Sequence, residues 1–167
     1  MCCISKKKGV ICVQLRQLPM NELAQQLRQS LADSGSARLL VTGYSMVPML
    51  RNGRDSVTLG PVDRSARPGD VIFYQRSDGQ LVLHRVIRAG ESGYICCGDH
   101  QHEQETVLPE QLLGIVTEFC RAGKRFSVGQ PVYRLYAFCV THTFPIRKPF
   151  LSLRKTLGRL KRRLRRR

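Results

Sequence analysis

The sequence predicts a mainly β fold, an antiparallel sheet of coiled or barrel-like form with a short helix before it and a basic amphipathic helix after it. Three observations carry this reading. Six runs (38–42, 56–59, 70–75, 81–88, 94–97 and 113–119) are rich in strand-forming residues and too short for typical helices. Turn signals punctuate them: Pro68-Gly69, Ser77-Asp78-Gly79, Ala89-Gly90 and Glu91-Ser92-Gly93. The connections between these runs are close, which suits strands that fold back on their neighbours.

The elements follow in order. Residues 1–35 hold one helix, opened by Pro19-Met20-Asn21 and running to about Ala32, with Leu23, Leu27 and Leu31 four residues apart on one face. Asp33-Ser34-Gly35-Ser36 ends it. Residues 36–130 form the β domain, in which Asp78-Gly79 between two β-rich runs marks a hairpin. Along 81–88, alternation places Val82, His84 and Val86 on one face of a strand. Residues 131–167 turn apolar and aromatic, with Tyr133, Leu135, Tyr136 and Phe138, and then basic. There Phe150, Leu153, Leu157, Leu160 and Leu164 form one stripe of a helix whose other faces carry Arg154, Arg159 and Arg163 among other cations.

Composition separates body from tail. With 167 residues and 42% apolar content, the chain can bury one core. The net charge is +16, yet residues 1–118 hold 13 basic against 12 acidic side chains, while residues 119–167 hold 15 basic and no acidic ones. Basicity therefore belongs to the C-terminal segment. Seven cysteines, two pairs of them adjacent in sequence and none spaced Cys-x-x-Cys, argue against a disulfide framework or zinc site and for reduced thiols. No run of about 18 apolar residues is present to span a bilayer, and the apolar run 9–13 is too short for a secretory signal.

Chemistry concentrates in Ser45, His84 and Asp99. A serine hydroxyl becomes a competent nucleophile when a base takes its proton, and histidine suits that task near neutral pH. A carboxylate on the far imidazole nitrogen would fix the tautomer and stabilise the imidazolium. Gly43 allows close backbone approach before the nucleophile, Pro48 stiffens the turn after it, and the backbone N–H groups of Ser45 and Gly43 are the oxyanion candidates. This chemistry needs neither a cofactor nor a metal.

Five boxes occur in order: Gly43-Tyr44-Ser45-Met46-Val47-Pro48-Met49-Leu50, Gly53-Arg54-Asp55-Ser56-Val57, Pro68-Gly69-Asp70-Val71-Ile72, Leu83-His84-Arg85-Val86-Ile87 and Gly98-Asp99. Together, over residues 36–118, they resemble the signal peptidase I and LexA-like serine peptidase superfamily. The resemblance implies that superfamily's mostly antiparallel β fold and a serine endopeptidase acting on signal-like or leader-like peptides. It implies Ser45 as nucleophile, His84 as general base and Asp99 as supporting carboxylate. Bacterial relatives with a serine–lysine dyad carry lysine where His84 stands; histidine there is similar to the endoplasmic-reticulum type. The chain departs from the pattern at Gly43, where relatives often carry a hydroxyl, and at His100-Gln101, where the Gly-Asp box usually continues to asparagine. The family's N-terminal anchor is not expected here, and the chain looks more like small, anchorless bacterial members.

The leucine stripe among arginines suits an anionic membrane surface, whose phosphates meet the cations while the apolar face enters the headgroup boundary. Nucleic acid and a solvated terminus are competing readings, but phosphate binding alone requires no leucine stripe. The expected partners are thus a peptide or preprotein substrate and an anionic membrane, with the protein peripheral on the cytoplasmic face. The competing function is an inactive or LexA-like regulatory module whose tail binds nucleic acid or a partner.

Overall fold

A computed structural model describes residues 11–13 and 20–144. Its elements are β1 (Ile11–Val13), α1 (Met20–Ser34), β2 (Ala37–Leu40), β3 (Ser56–Gly60), β4 (Val71–Gln75), β5 (Leu81–Gly90), β6 (Gly93–Cys97), β7 (Glu105–Val107), β8 (Leu112–Arg121), β9 (Lys124–Ser127) and α2 (Pro131–His142). All strands join one sheet in the order β1-β2-β3-β8-β4-β5-β6-β7, with β9 paired to β8. Strands β2 to β9 pair antiparallel, and β1 lies parallel to β2.

The mainly antiparallel β architecture agrees with the sequence reading; barrel closure does not. Among the described residues β1 and β7 stand at opposite ends of the path without pairing. Each is three residues long, too short to supply a substantial closing ladder. Curvature comes instead from β8, which pairs with β4 along its first part and with β3 along its second. Register shifts at Thr58/Leu59 and Phe73/Tyr74 bend and twist the strands locally.

Two apolar clusters sit on the sheet. In the larger, Leu23, Leu27 and Leu31 of α1 pack with Val57, Leu59, Phe73 and Val116, joined by Tyr133 and Ala137 of α2. Full burial of each such leucine contributes about 1.5–3 kcal/mol, which explains why α1 forms on the four-residue spacing. The smaller cluster gathers Ile72, Tyr74, Val86, Tyr94, Cys96 and Ile115. Strand β4 therefore feeds both clusters, Val71 and Phe73 to one and Ile72 and Tyr74 to the other. A strand buried on both faces reads as a continuous apolar run, as Val71-Ile72-Phe73-Tyr74 does.

The predicted Asp78-Gly79 hairpin joins β4 to β5, with the Arg76 N–H donating to the Gln80 carbonyl at 2.9 Å. Strands β1, β7 and β9 carried no such periodic signal. The stripe of Phe150, Leu153, Leu157, Leu160 and Leu164, with Arg154, Arg159 and Arg163, lies outside the described residues. Among the described residues no helix is long and apolar enough to cross a membrane.

Candidate active site

The loop between β2 and β3 carries Ser45 and is clasped at its base. The Val41 N–H donates to the Asp55 carbonyl and the Gly53 N–H to the Val41 carbonyl, both at 2.9 Å. Asp55, fully buried, accepts from the Arg51 N–H at 2.8 Å, the Ala122 N–H at 3.1 Å and the Arg54 guanidinium at 2.7 Å. Burial alone would raise the Asp55 pKa, but these donors outweigh it and hold the carboxyl at about 2. Met46, Met49 and Leu50 anchor the loop in the core.

The Gly98–His100 turn closes on the serine. The His100 N–H donates to the Ser45 carbonyl at 2.8 Å. A Cβ on Gly98 would lie 2.7 Å from that carbonyl oxygen and 2.9 Å from the Ser45 Cβ. Only glycine fits this approach, so the Gly-Asp box holds its glycine for the serine loop. Gly43 serves differently: its φ is +90°, a backbone region that disfavours a side chain, and an added Cβ would meet nothing within 4 Å. The expected close approach at Gly43 is thus corrected to a conformational requirement.

His84 stands on β5, 2% exposed. Its Nδ1 lies 2.6 Å from Glu105 Oε1 and 3.1 Å from the Tyr74 hydroxyl. Arg76 grips the same carboxylate from the other side, donating from Nε to Oε2 at 2.6 Å and from NH2 to Oε1 at 2.9 Å. Burial works to raise the Glu105 pKa, but Arg76, Tyr74 and His84 overcome it and hold it below its ordinary value. Glu105 is therefore ionised near neutral pH and can only accept, so Nδ1 carries the proton. Burial depresses the His84 pKa; attraction to Glu105 opposes this without reversing it. The imidazole is thus neutral at pH 7, with the lone pair on Nε2. Burial first, and Glu105 second, push the Tyr74 pKa up, so the phenol keeps its proton.

Ser45 and His84 line one open cleft of about 390 Å3, together with Thr42, Tyr44, Arg76 and His100. No direct hydrogen bond joins them. A hydroxyl and a neutral imidazole, the latter oriented by a carboxylate, therefore share one open cleft. A side pocket of about 70 Å3, walled by Leu39, Val57, Phe73 and Leu83, adjoins it and shares Val41, Thr42, Leu81 and Leu83.

Two sequence expectations are corrected here. The carboxylate on the far imidazole nitrogen is Glu105, not Asp99. The Asp99 carboxylate receives Arg85 Nε and NH2, both at 2.8 Å, and the Tyr136 hydroxyl at 3.0 Å. The reason is alternation: His84 and Arg85 are consecutive on a strand, so their side chains leave opposite faces, and Asp99 meets the arginine. As to the oxyanion donors, the Gly43 N–H already donates to Asn52 Oδ1 at 3.3 Å. The Ser45 N–H has no acceptor among the described residues.

Arg85 and Asp99 form a pair with no side-chain exposure. Arg85 NH1 also donates to the Gly69 carbonyl at 2.7 Å and the Tyr133 hydroxyl at 3.2 Å, and the guanidinium sits 5.5 Å from the Tyr136 ring centroid. The pair ties β5, the Gly98 turn and α2 together beside the serine loop.

Sequence reasoning missed Glu105, Arg76 and Tyr74. Tyr74 was accessible in principle, since it alternates with Ile72 on a strand paired to the one bearing His84. Glu105 lies on a three-residue strand with no periodicity, and Arg76 just beyond the end of β4. Burial pushes the Cys96 thiol up to about 12, which leaves it protonated and inert. Among the described residues no group of three or more histidine, cysteine or acidic side chains is arranged to hold a metal ion. Comparison with models of protein families, with characterised proteins and with solved structures gave no match.

Proposed function

We propose that the protein is a serine endopeptidase of the signal peptidase I-like class, acting on signal-like or leader-like peptides at a membrane surface. The observation that carries the proposal is the shared cleft: Ser45 and His84 line it together, and Glu105 holds His84 Nδ1 at 2.6 Å. In this reaction Ser45 Oγ attacks the scissile carbonyl carbon while His84 Nε2 takes the hydroxyl proton. Glu105 stabilises the imidazolium, and the Ser45 N–H donates to the oxyanion. The imidazolium then protonates the leaving amine as the C–N bond breaks. Water, activated in turn by Nε2, hydrolyses the acyl-enzyme and restores Ser45.

Substrate placement follows from pairing. Along Leu81–His84, β5 is bonded to β4, while pairing with β6 begins at Arg85. This leaves one backbone edge of Leu81–Leu83 for an extended peptide, an arrangement in which main-chain bonds supply affinity and pockets supply selectivity. The 70 Å3 side pocket suits a small apolar side chain near the cut. The basic leucine-striped tail (Phe150, Leu153, Leu157, Leu160, Leu164) supplies membrane attachment in this reading.

One observation favours a second reading, a peptide-binding module without turnover: no hydrogen bond joins Ser45 to His84. Ligand-free catalytic sites are often loose in this way. The test is incubation of wild type, Ser45→Ala and His84→Ala with signal-like and leader-like peptides on anionic vesicles, products read by mass spectrometry. Cleavage by wild type, reduced about 10³-fold or more in both folded variants, supports the peptidase. Undiminished cleavage in Ser45→Ala overturns it; binding without cleavage by wild type favours the second reading.

A further inference from the structure

Helix α2 has two faces of different character. Tyr133, Ala137 and Thr141 are buried, and Tyr136 donates to Asp99 beneath them. Val132, Leu135 and Phe138 lie on the other side, 81%, 65% and 58% exposed. At 100° per residue these three fall within one third of the helix circumference. They form an outward apolar strip.

The strip continues into a groove. Between α2 and the β8–β9 hairpin lies a hollow of about 330 Å3, lined by Pro48, Met49, Phe119, Phe126 and Val132, with Arg121 at its edge. Arg121 lines it, its cross-strand partner Lys124 on β9 is exposed beside it, and residues 119–144 contain no acidic side chain. Pro48 and Met49 belong to the loop that carries Ser45.

From this juxtaposition we infer that the α2 strip and the β8–β9 hairpin form a membrane-docking face of the folded domain, fitted to an anionic bilayer surface. The inference rests on the membrane-surface reading above but assigns it to residues distinct from the C-terminal stripe. Charge selects the occupant. A second copy seated face to face would bring Arg121 and Lys124 against their own equivalents, with no acidic side chain lining the groove to offset them. Nucleic acid would match the charge but gives no use for Val132, Leu135 and Phe138. An anionic bilayer satisfies both, with headgroups meeting the cations and the acyl boundary receiving the strip. Because Pro48 and Met49 line the same groove, docking there brings the Ser45 loop to the bilayer surface.

The chain contains no tryptophan, so Leu135→Trp places a single emitter on the strip. The full chain carrying it is mixed with vesicles of phosphatidylcholine and phosphatidylglycerol. The expected result is a blue-shifted emission, quenched by brominated acyl chains, in protein that co-sediments with the vesicles. Replacing Arg121 and Lys124 by glutamine should weaken partitioning by up to roughly fivefold per charge. Val132→Ser/Leu135→Ser/Phe138→Ser should weaken it by about tenfold or more, with the melting curve showing that the fold persists. Co-sedimentation with unshifted, unquenched emission overturns this face while sparing the membrane reading, particularly if Leu153→Ser/Leu157→Ser/Leu160→Ser/Leu164→Ser abolishes binding. No co-sedimentation of any form overturns both. A lipid-free dimer dissolved by the three α2 serines, or binding to duplex DNA with no binding to vesicles, also overturns the inference.

Discussion

Glu105 reaches His84 across an intervening strand: β7 carries the carboxylate, β6 lies between, and Oε1 stops 2.6 Å from Nδ1 on β5. Arg76, just past the end of β4, closes the arrangement from the other side of the carboxylate. One imidazole is thereby oriented by groups drawn from both flanks of its own strand.

Removing the charge while keeping the shape tests that orientation. Glu105→Gln should lower kcat for peptide cleavage by roughly 10²–10⁴-fold with little change in KM, by analogy with loss of the orienting carboxylate in serine triads. The acid limb of the rate profile should also move to lower pH, because Glu105 raises the His84 pKa against burial. An unchanged kcat would remove Glu105 from the mechanism.

The wild-type pH profile has a definite sign. His84 acts as a base only when neutral, and burial holds its pKa below 6.5, so cleavage should rise with pH to a midpoint below 6.5 and be level at pH 7. Stability should follow the same direction. Below 6.5 the unfolded chain binds a proton that the folded imidazole resists, so this contribution is complete above 6.5 and is lost as pH falls through the depressed folded value. Steady-state rates and urea midpoints between pH 4.5 and 8 check both; a rate midpoint above 6.5 contradicts the assignment.

Asp99 and Glu105 should separate cleanly by experiment. Arg85→Met leaves the Asp99 carboxylate buried without its guanidinium, which should cost about 3–5 kcal/mol in urea unfolding. Arg85→Met/Asp99→Leu should cost less than the sum of the single changes, since no lone charge remains. Glu105→Gln, by contrast, should alter rate far more than stability. Equal destabilisation by Asp99→Leu and Glu105→Gln would erase the distinction.

Gly98→Ala probes the contact between the turn and the serine loop. The new Cβ would lie 2.7 Å from the Ser45 carbonyl oxygen, so one segment must move. A displacement near 1 Å costs on the order of 10²-fold in rate, and cleavage should fall by about that much while the melting temperature changes only modestly. Wild-type activity in this variant would show that the serine position tolerates the shift.

Much of the architecture was legible. Leu23, Leu27 and Leu31 marked α1 because a buried helix face repeats at that spacing, and Asp78-Gly79 marked the hairpin because its turn needs those residue types. Ser45 and His84 stood in short, distinctive contexts, and both line the cleft. The open sheet, β7 and the roles of the carboxylates were not legible. A three-residue strand has no measurable period, and a carboxylate six positions past Asp99 looks no different from any solvated glutamate until β6 and β7 pair.

The sequence by itself determined the mainly β class, the helix before it, the division between a near-neutral body and a basic C-terminal segment, and the pairing of Ser45 with His84 as candidates. These depend on local periodicity, turn chemistry and composition, which are written residue by residue. Tertiary structure alone decided which acid serves which base. His84 and Arg85 are adjacent in the chain, but the pleat sends them to opposite faces, so the imidazole receives Glu105 from β7 and the guanidinium receives Asp99. Which carboxylate lies on which face follows from long-range strand pairing, which no short motif encodes.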